Sequence, residues 1–273
     1  MAAEGMMEEE PVEFSSSHYP NGLNADFFQG NSSAEDLIEK FAGKGGGGGK
    51  FEDSERRDIA AAVPEIMELI TGTLSLPRDA TVLDVGAGTG LLIKHLSSVL
   101  PSGSVIASEL SPDFRCWLSA RIATEGLQNV RVVEATPRDP LPTDEAAVNL
   151  ALMVDVYHHL VYPRSVCRRL RNVLRSDGLL VVLDFHRDPS KVTSRPPEWV
   201  LGHIRAGQDT FRNEILGCGY VLAAEPDIPA LKENYCMVFR PATSDELATA
   251  VGSGWADKPI PIKPTTRAEG NVR

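Results

Sequence analysis

The stretch TVLDVGAGTG at residues 81–90 constrains the fold more than any other part of the chain. An apolar run ends there in Asp84, and glycines follow at positions 86, 88 and 90. Gly86 and Gly88 allow the backbone to turn sharply and to approach a ligand without an intervening Cβ atom. Gly90 allows the following helix to pack closely on the strand. Because ligands of open parallel sheets bind beyond the carboxyl ends of the strands, the loop predicts a site for a nucleoside-bearing cofactor.

Strand-like and helix-like segments alternate along the rest of the chain. Five short, almost wholly apolar runs predict strands: ATVLDV, SVIASE, NVRVVEA, AVNLALMV and LLVVLDF. Strands this apolar are covered on both faces, which is typical of a parallel sheet flanked by helices. Before the fifth run, the pattern PRSVCRRLRNVLRSDG predicts a helix that closes near Gly178. The final runs GYVLAAEPDI and NYCMVFR are joined by a Pro-containing turn, so the last strand is expected to run antiparallel. The fold class predicted is α/β, with a doubly wound, mostly parallel seven-stranded sheet.

Composition divides the chain into three parts. Residues 1–53 are expected to form an acidic flexible leader, in which SSAEDLIEKFAGK is a short amphipathic segment that could act as a lid. Ser33 is a plausible N-cap of this segment, and a run of five glycines at 45–49 predicts a flexible joint after it. Residues 54–240 carry the regular pattern. Residues 241–273 are rich in Pro, Gly and Thr and predict a tail that is mostly loop.

Charge and targeting signals exclude several classes of protein. The net charge is −11, but residues 1–55 hold 12 acidic and 3 basic side chains, so the remainder is nearly neutral. A body of this charge argues against a large phosphate-binding footprint, and we expect no nucleic-acid partner. No apolar run approaches the roughly 20 residues of a membrane-spanning helix. The opening MAAEGMMEEE fits neither a secretory signal nor a transit peptide, which predicts a cytoplasmic protein.

Glu109 supplies a second signal for a nucleoside ligand. It ends the second predicted strand, where a carboxylate can accept hydrogen bonds from both hydroxyls of a ribose. A dinucleotide fingerprint would place a third glycine at position 91, where this chain has Leu91. The spacing therefore favours a cofactor other than NAD.

These motifs resemble those of the class I S-adenosylmethionine-dependent methyltransferases. The resemblance rests on VLDVGAGTG, SELSP and DVYHHL…LRNVLRSDGLLVVLDF, and it is greatest to the small-molecule branch with the type-11 methyltransferase domain. It covers Asp58 to Arg240 and implies a Rossmann-like fold that binds S-adenosylmethionine and a small-molecule methyl acceptor. It leaves the oligomeric state open.

The resemblance also assigns residues to the cofactor. Asp84 and the loop backbone would hold the methionine end, Glu109 the ribose, and Leu110 the adenine. Thr136 stands where family members often carry an Asp that accepts from the adenine amino group, with Asp139 nearby. Asp155 lies in the region that lines cofactor and acceptor in the family. The complete set implied for the cofactor is Asp84, Gly86, Ala87, Gly88, Gly90, Glu109, Leu110, Thr136 and Asp155.

The turn after the fourth strand offers candidates for catalysis. His158 or His159 could act as a base because imidazole titrates near neutrality, or either could simply pack or cap the following helix. The two are expected to alternate in direction, with Tyr157 as an aromatic wall. Asp184 and His186 end the fifth strand on one face and could form a metal site with Asp155, but the spacing is not diagnostic and no metal is expected. The segment WVLGHIRAG, with Trp199, His203 and Arg205, would roof the acceptor pocket.

Three functions are compared at this point, and activity on a protein or RNA substrate also remains open. The first is a methyltransferase acting on a small molecule. The second is a cofactor-binding scaffold or partner subunit that has lost catalysis. The third is an NAD-dependent dehydrogenase, which Leu91 and the antiparallel last strand oppose.

Overall fold

The computed structural model describes residues 34–42, 51–143 and 147–251. The acidic residues 1–33 with Ser33, the glycine run 45–49 and the tail from 252 onward lie outside these residues. A seven-stranded sheet has the order β3-β2-β1-β4-β5-β7-β6. Its strands are β1 Thr81–Val85, β2 Ser104–Glu109, β3 Val130–Glu134, β4 Val148–Val154, β5 Leu174–Phe185, β6 Tyr220–Ala224 and β7 Asn234–Pro241.

Helices alternate with strands along much of the chain, as expected of a doubly wound fold. They are α1 Ala34–Ala42, α2 Asp58–Ala61, α3 Val63–Glu68, α4 Ile93–Val99, α5 Pro112–Glu125, α6 Pro163–Val173, α7 Pro197–His203, α8 Gln208–Leu216 and α9 Ser244–Val251. A π-helical turn, Leu69–Thr73, extends α3, and a 3-10 turn, Tyr157–His159, follows β4. No helix of the described residues has the length and apolar character that crossing a membrane requires.

The central strands are buried on both faces because their side chains alternate between two cores. Val82, Val105 and Leu152 belong to the hydrophobic cluster beneath α2–α5. Leu83 and Met153 point to the other face, into the cluster beneath α6 and α8. The predicted, mostly parallel sheet with an antiparallel last strand is confirmed: β1 pairs in parallel with β2 and β4, and β7 runs antiparallel to β5. The order reverses on the two sides of β1, so the carboxyl ends of β1 and β4 form the switch point at which such sheets bind ligands.

One predicted boundary is wrong. The helix expected to run to Gly178 ends at Val173, and Leu174 already pairs with Val148 in the sheet. The register then shifts before Leu179 resumes pairing opposite Leu150, so the exposed residues between them form a bulge. A Cβ atom at Gly178 would lie 2.9 Å from the carbonyl oxygen of Val148, and glycine permits this close approach.

The region after β7 contains a helix where loop was expected. The side chain of Glu246 accepts from the backbone N–H of Thr243 at 2.9 Å, and the hydroxyl of Thr243 accepts from the N–H of Glu246 at 3.3 Å. This reciprocal pair is a capping box, and it starts α9 at Ser244. Helix α9 belongs to a second compact unit, which begins at Thr243.

Candidate active site

The loop after β1 adopts the conformation that its glycines predict. Gly86, Gly88 and Gly90 all have positive φ, of 67°, 55° and 93°. A Cβ atom at Gly90 would lie 2.8 Å from Ile93 of α4 and 2.9 Å from Leu118 of α5, so Gly90 lets the helices pack closely. At Gly88 the nearest atom would be 3.8 Å away, which leaves open space over the loop. The loop therefore has one packed glycine and one that faces free volume.

Glu109 lies directly beside this open space. One carboxylate oxygen accepts from the backbone N–H of Gly88 at 2.8 Å, and the other accepts from the N–H of Ser111 at 2.8 Å. The side chain is buried. The two backbone donors fix the carboxylate at the end of β2, and each oxygen retains a lone pair for a further donor.

Two buried carboxylates meet at this end of the sheet. Burial, together with the nearby charge of Glu109, raises the pKa of Asp84 to about 7. Burial also raises the pKa of Glu109, although the N–H groups of Ser111 and Gly88 oppose that shift. Such a pair is costly unless a cationic or hydrogen-bonding ligand compensates it.

The two residues assigned to adenine lie beyond Glu109 in different settings. Leu110 is half-buried, and its carbonyl accepts from the guanidinium of Arg115. Thr136 is exposed and closed into a turn, in which its hydroxyl accepts from the N–H of Asp139 at 2.9 Å. The carboxylate of Asp139 accepts from Leu141 N–H and from Arg169. Asp139 therefore holds the turn, and the adenine contact of Thr136 stays a prediction.

Asp155 joins three distant parts of the chain. It follows β4 with a φ of 55°, a conformation that non-glycine residues rarely adopt. Its carboxylate accepts from the guanidinium of Arg57 and from the side-chain amide of Asn234. Burial raises the pKa of Asp155 to about 7, although the charge of Arg57 opposes the shift. Asp155 is thus committed to these two partners, and its contact with a cofactor stays a prediction.

Residues just before α2 lie on the glycine loop. Glu52 accepts from the hydroxyl of Thr89 at 2.9 Å and from Arg121 at 2.5 Å. Phe51 stacks on Phe41 of α1 with ring centroids 4.6 Å apart, and Phe41 meets Phe114 of α5 at 5.7 Å. The segment expected to act as a lid is therefore docked beside the loop in this structure.

His158 is held by the end of β5. Its Nδ1 atom lies 2.6 Å from Oδ1 of Asp184, and its backbone N–H donates to the other oxygen at 3.0 Å. Burial raises the pKa of Asp184 to about 7 and lowers that of His158 to about 3, with Arg205 and Arg57 adding to the second shift. His158 is therefore neutral and donates from Nδ1 to the carboxylate, which leaves a lone pair on Nε2. That buried nitrogen has no partner.

The histidines do not alternate in direction as expected. Residues 157–159 form a 3-10 turn rather than extended chain, and the rings of His158 and His159 lie 4.1 Å apart. His203 of α7 lies 5.1 Å from both rings. We call His158, His159 and His203 the histidine cluster. Tyr157 instead enters the core, where its ring meets Phe211 at 4.9 Å, so the structure does not place it as a wall of the site.

The other residues of the expected roof have separate roles. Trp199 stacks on His203 at 4.1 Å and meets Phe185 edge-on at 5.8 Å, so it covers the cluster. Arg205 makes a buried bidentate pair with Glu214, at 2.7 and 2.6 Å, and belongs to the core. The ring of His186 packs near Tyr235 at 5.4 Å. Among the described residues, Asp155, Asp184 and His186 do not form a group compact enough to hold a metal ion.

The two candidate regions are adjacent. A Cβ atom at Gly86 would lie 2.7 Å from a methyl group of Val156, so the chain that leads into the histidine turn touches the glycine loop. Several side chains at this junction escaped the sequence prediction: Glu52, Arg57, Glu233 and Asn234. Glu233 fixes the loop before α7 by accepting from the N–H groups of Thr193 and Ser194 at 2.9 and 2.7 Å. The only available signal was the run LKENY, which the sequence alone does not connect to this site.

Comparisons with known proteins agree with this architecture. Residues 83–180 match the family model of a methyltransferase domain. Comparison with curated proteins gives no match. A SAM dependent methyltransferase from Aquifex aeolicus is similar in structure, with a TM-score of 0.58 and 19% identity over 77% of this chain and 98% of that chain.

Two further solved structures share the fold. The [4+2]-cyclase SpnF has a TM-score of 0.55 and 15% identity, over 68% of this chain and 82% of that chain. The O-methyltransferase NcsB1 from neocarzinostatin biosynthesis, in complex with S-adenosylmethionine and 2-hydroxy-5-methyl naphthoic acid, has a TM-score of 0.50 and 17% identity, over 70% of this chain and 60% of that chain. Residues 83–180 thus resemble a methyltransferase domain, and the chain shares the α/β fold of these methyltransferases, as the sequence predicted.

Proposed function

We propose that this chain is an S-adenosylmethionine-dependent methyltransferase that acts on a small-molecule acceptor. The observation that carries the proposal is the bond from the Gly88 N–H to Glu109 at 2.8 Å. It joins the open side of the glycine loop to a carboxylate suited to a ribose. The same pair lies inside the matched methyltransferase domain.

The charges at the loop suit this cofactor. S-Adenosylmethionine carries a sulfonium and an ammonium group, and Asp84 is a buried carboxylate with a raised pKa. A cation beside Asp84 would stabilise its ionised form and offset the cost of burial. NAD brings a pyrophosphate instead, and like charges near Asp84 and Glu109 would repel it.

Methyl transfer needs alignment more than charge stabilisation. The acceptor attacks the methyl carbon in line with the departing sulfur, and the positive charge on sulfur disappears as the bond breaks. Holding the two reactants in line and excluding water can supply much of the acceleration. Helix α1 with Phe51 and Glu52, and the aromatic cover of Trp199, are suited to exclude water.

The acceptor end of the proposed site is the histidine cluster. Val156 touches Gly86, so the cluster begins only two residues from the loop. An acceptor with a hydroxyl group must lose a proton, and the cluster offers imidazole nitrogens for that purpose. NcsB1 methylates oxygen and is bound to a hydroxylated naphthoic acid, which supports an acceptor of this size and kind.

The fold alone does not decide between methyl transfer and other reactions. SpnF, a cyclase, shares it. A scaffold that binds the cofactor without turning it over is therefore the second candidate, and the test must measure transfer itself.

The free cysteines of the described chain are compatible with the cytoplasmic location that the sequence predicts.

The test has two stages. The full chain is first heated with S-adenosylmethionine, its demethylated product or NAD. At a ligand concentration 100-fold above its dissociation constant, binding should raise stability by about 2.7 kcal/mol. Stabilisation by the first two ligands and not by NAD is expected, and the reverse pattern would overturn the cofactor assignment.

In the second stage, the chain is incubated with methyl-labelled cofactor and a panel of hydroxylated aromatic acids. Transfer of label to a panel member supports the enzyme. Tight cofactor binding without transfer to any acceptor class would favour the scaffold.

A further inference from the structure

The histidine cluster has the composition of a metal site. Its three ligand nitrogens lie within 4.8 Å of one another, and among the described residues no other group of three or more His, Cys, Asp or Glu is this compact. The members come from two elements, the 3-10 turn after β4 and α7. A tetrahedral zinc ion binds each nitrogen at about 2.0–2.1 Å, so the three rings would move closer together to bind it.

The carboxylate of Asp184 orients the ring of His158 in the way that carboxylates orient metal-binding histidines in other proteins. Metal-binding histidines usually donate from one ring nitrogen to a carboxylate, which fixes the tautomer and directs the other nitrogen to the ion. Here Nδ1 of His158 lies 2.6 Å from Asp184. Nε2 carries the lone pair, is buried, and has no hydrogen-bond partner. An unsatisfied acceptor in the interior costs free energy unless a ligand meets it.

The rings of the cluster lie against one another. The rings of His158 and His159 are 4.1 Å apart, and the ring of His203 lies 5.1 Å from both. A neutral imidazole carries a nitrogen lone pair that can bind a metal ion. Stacking of Trp199 on His203 fixes the third ring.

We propose that His158, His159 and His203 bind one divalent transition-metal ion and leave a fourth position for a ligand atom. Three imidazole nitrogens suit zinc, cobalt, nickel or iron, whereas magnesium and calcium prefer oxygen. A site with three protein ligands and one open position is the pattern of catalytic rather than structural zinc.

The open position suggests how the acceptor is activated, and this step rests on the proposed function. A hydroxyl group bound to the ion loses its proton to water more readily, because the ion stabilises the oxygen anion. That oxygen forms a bond to the methyl carbon as the carbon–sulfur bond breaks and its electron pair passes to sulfur. No histidine then needs to act as the base.

The experiment measures metal binding by the full chain without any methyl acceptor. Protein stripped with a chelator is titrated with zinc, and separately with cobalt while its visible absorbance is recorded. We expect one equivalent of zinc and the absorbance of a tetrahedral cobalt site. Magnesium at the same concentrations should not bind. Failure of zinc and cobalt to bind at micromolar concentrations would overturn the proposal.

Two variants locate the ion. His203→Ala removes a half-buried ligand, and His186→Ala is the matched control because His186 is half-buried, close to β5 and outside the cluster. Loss of a supporting residue around a metal costs 10–100-fold in affinity, so loss of a ligand should cost at least about 100-fold. Circular dichroism confirms that both variants fold. Equal zinc affinity in His203→Ala and the parent chain would overturn the assignment.

Cofactor binding separates this proposal from the proposed function. Glu109→Ala should keep its zinc while losing affinity for S-adenosylmethionine. A chain that binds zinc but not the cofactor leaves the metal site standing without the methyltransferase. A chain that binds the cofactor but no zinc overturns the metal site alone.

Discussion

The glycine loop and the histidine cluster lie beside each other at the carboxyl ends of β1 and β4, yet one is made of backbone and the other of side chains. The loop takes its conformation from its own three glycines, and backbone N–H groups hold Glu109 beside it. The cluster depends on His158, His203 and Asp184, from three separate elements. Substitutions should therefore act on different properties in the two regions: cofactor affinity and stability in the loop, turnover in the cluster.

The largest effect is expected at His159. His159→Ala removes a half-buried imidazole that has no part in the His158–Asp184 pair, so turnover should fall by about 10²–10⁴-fold while cofactor affinity stays nearly intact. Turnover with an identified acceptor and calorimetry with S-adenosylmethionine measure the two quantities. His186→Ala serves as control and should retain both.

His158→Ala sharpens this test because it also breaks the bond to Asp184. We expect it to reduce stability and cofactor affinity together with turnover, since a buried carboxylate then loses its donor. If His158→Ala and His159→Ala both kept full turnover, the cluster would have no role in the reaction.

Within the loop, alanine substitutions at two glycines should lower the stability of the protein by different amounts. Gly90→Ala adds a Cβ atom that meets Ile93 at 2.8 Å and Leu118 at 2.9 Å. Overpacking of about 1–3 kcal/mol then adds to about 1–2 kcal/mol for a positive φ. In Gly88→Ala the added Cβ atom meets open space, so the substitution should lower the free energy of unfolding only by the cost of the positive φ, about 1–2 kcal/mol. Urea unfolding measures both, and equal losses would mean that the helices do not depend on Gly90.

Substitution of Glu109 tests the proposed ribose contact without disturbing the histidine cluster. Glu109→Ala should weaken S-adenosylmethionine binding by about 1.5–3 kcal/mol, the range for hydrogen bonds to a charged group. Glu134 is the matched control because it pairs with Glu109 in register at the end of β3 but is exposed. Unchanged affinity of Glu109→Ala in calorimetry would remove the ribose assignment.

The smallest effect is expected in the acidic leader. Deletion of residues 1–32 should leave the melting temperature unchanged, because their composition gives no apolar face to bury. Deletion through residue 50 also removes Phe41, which contacts Phe51 and Phe114. This longer deletion should therefore lower the melting temperature. A large loss from the shorter deletion would contradict the prediction.

Local signals explain what the sequence could predict. Alternating apolar runs indicated all seven strands, and the three glycines indicated their own positive φ values. The boundary at Leu174 was missed because LRSDG reads as the end of a helix, while pairing with Val148 decides in favour of a strand. The cap of α9 was present as T-S-D-E, but the Pro- and Gly-rich composition around it concealed the signal.

Contacts between distant residues explain what the sequence could not predict. Nothing near Arg57 or Asn234 indicates that both donate to Asp155. The direction of His159 depends on the 3-10 turn, and the approach of His203 depends on how α7 packs over Phe185 and Trp199. Periodicity reports which face of an element is buried, but it does not report which elements meet.

The ties to Asp155 bear on how the protein is made in the cell. Arg57 precedes Asp155 by 98 positions and Asn234 follows it by 79. A chain that emerges from the ribosome from its N-terminus can form the glycine loop early, but β7 is still missing. Until Asn234 appears, Asp155 has only one of its two partners and the edge of β5 is unpaired. An exposed strand edge invites pairing with other chains, so the nascent protein is most vulnerable to aggregation in the interval between the synthesis of β5 and that of β7.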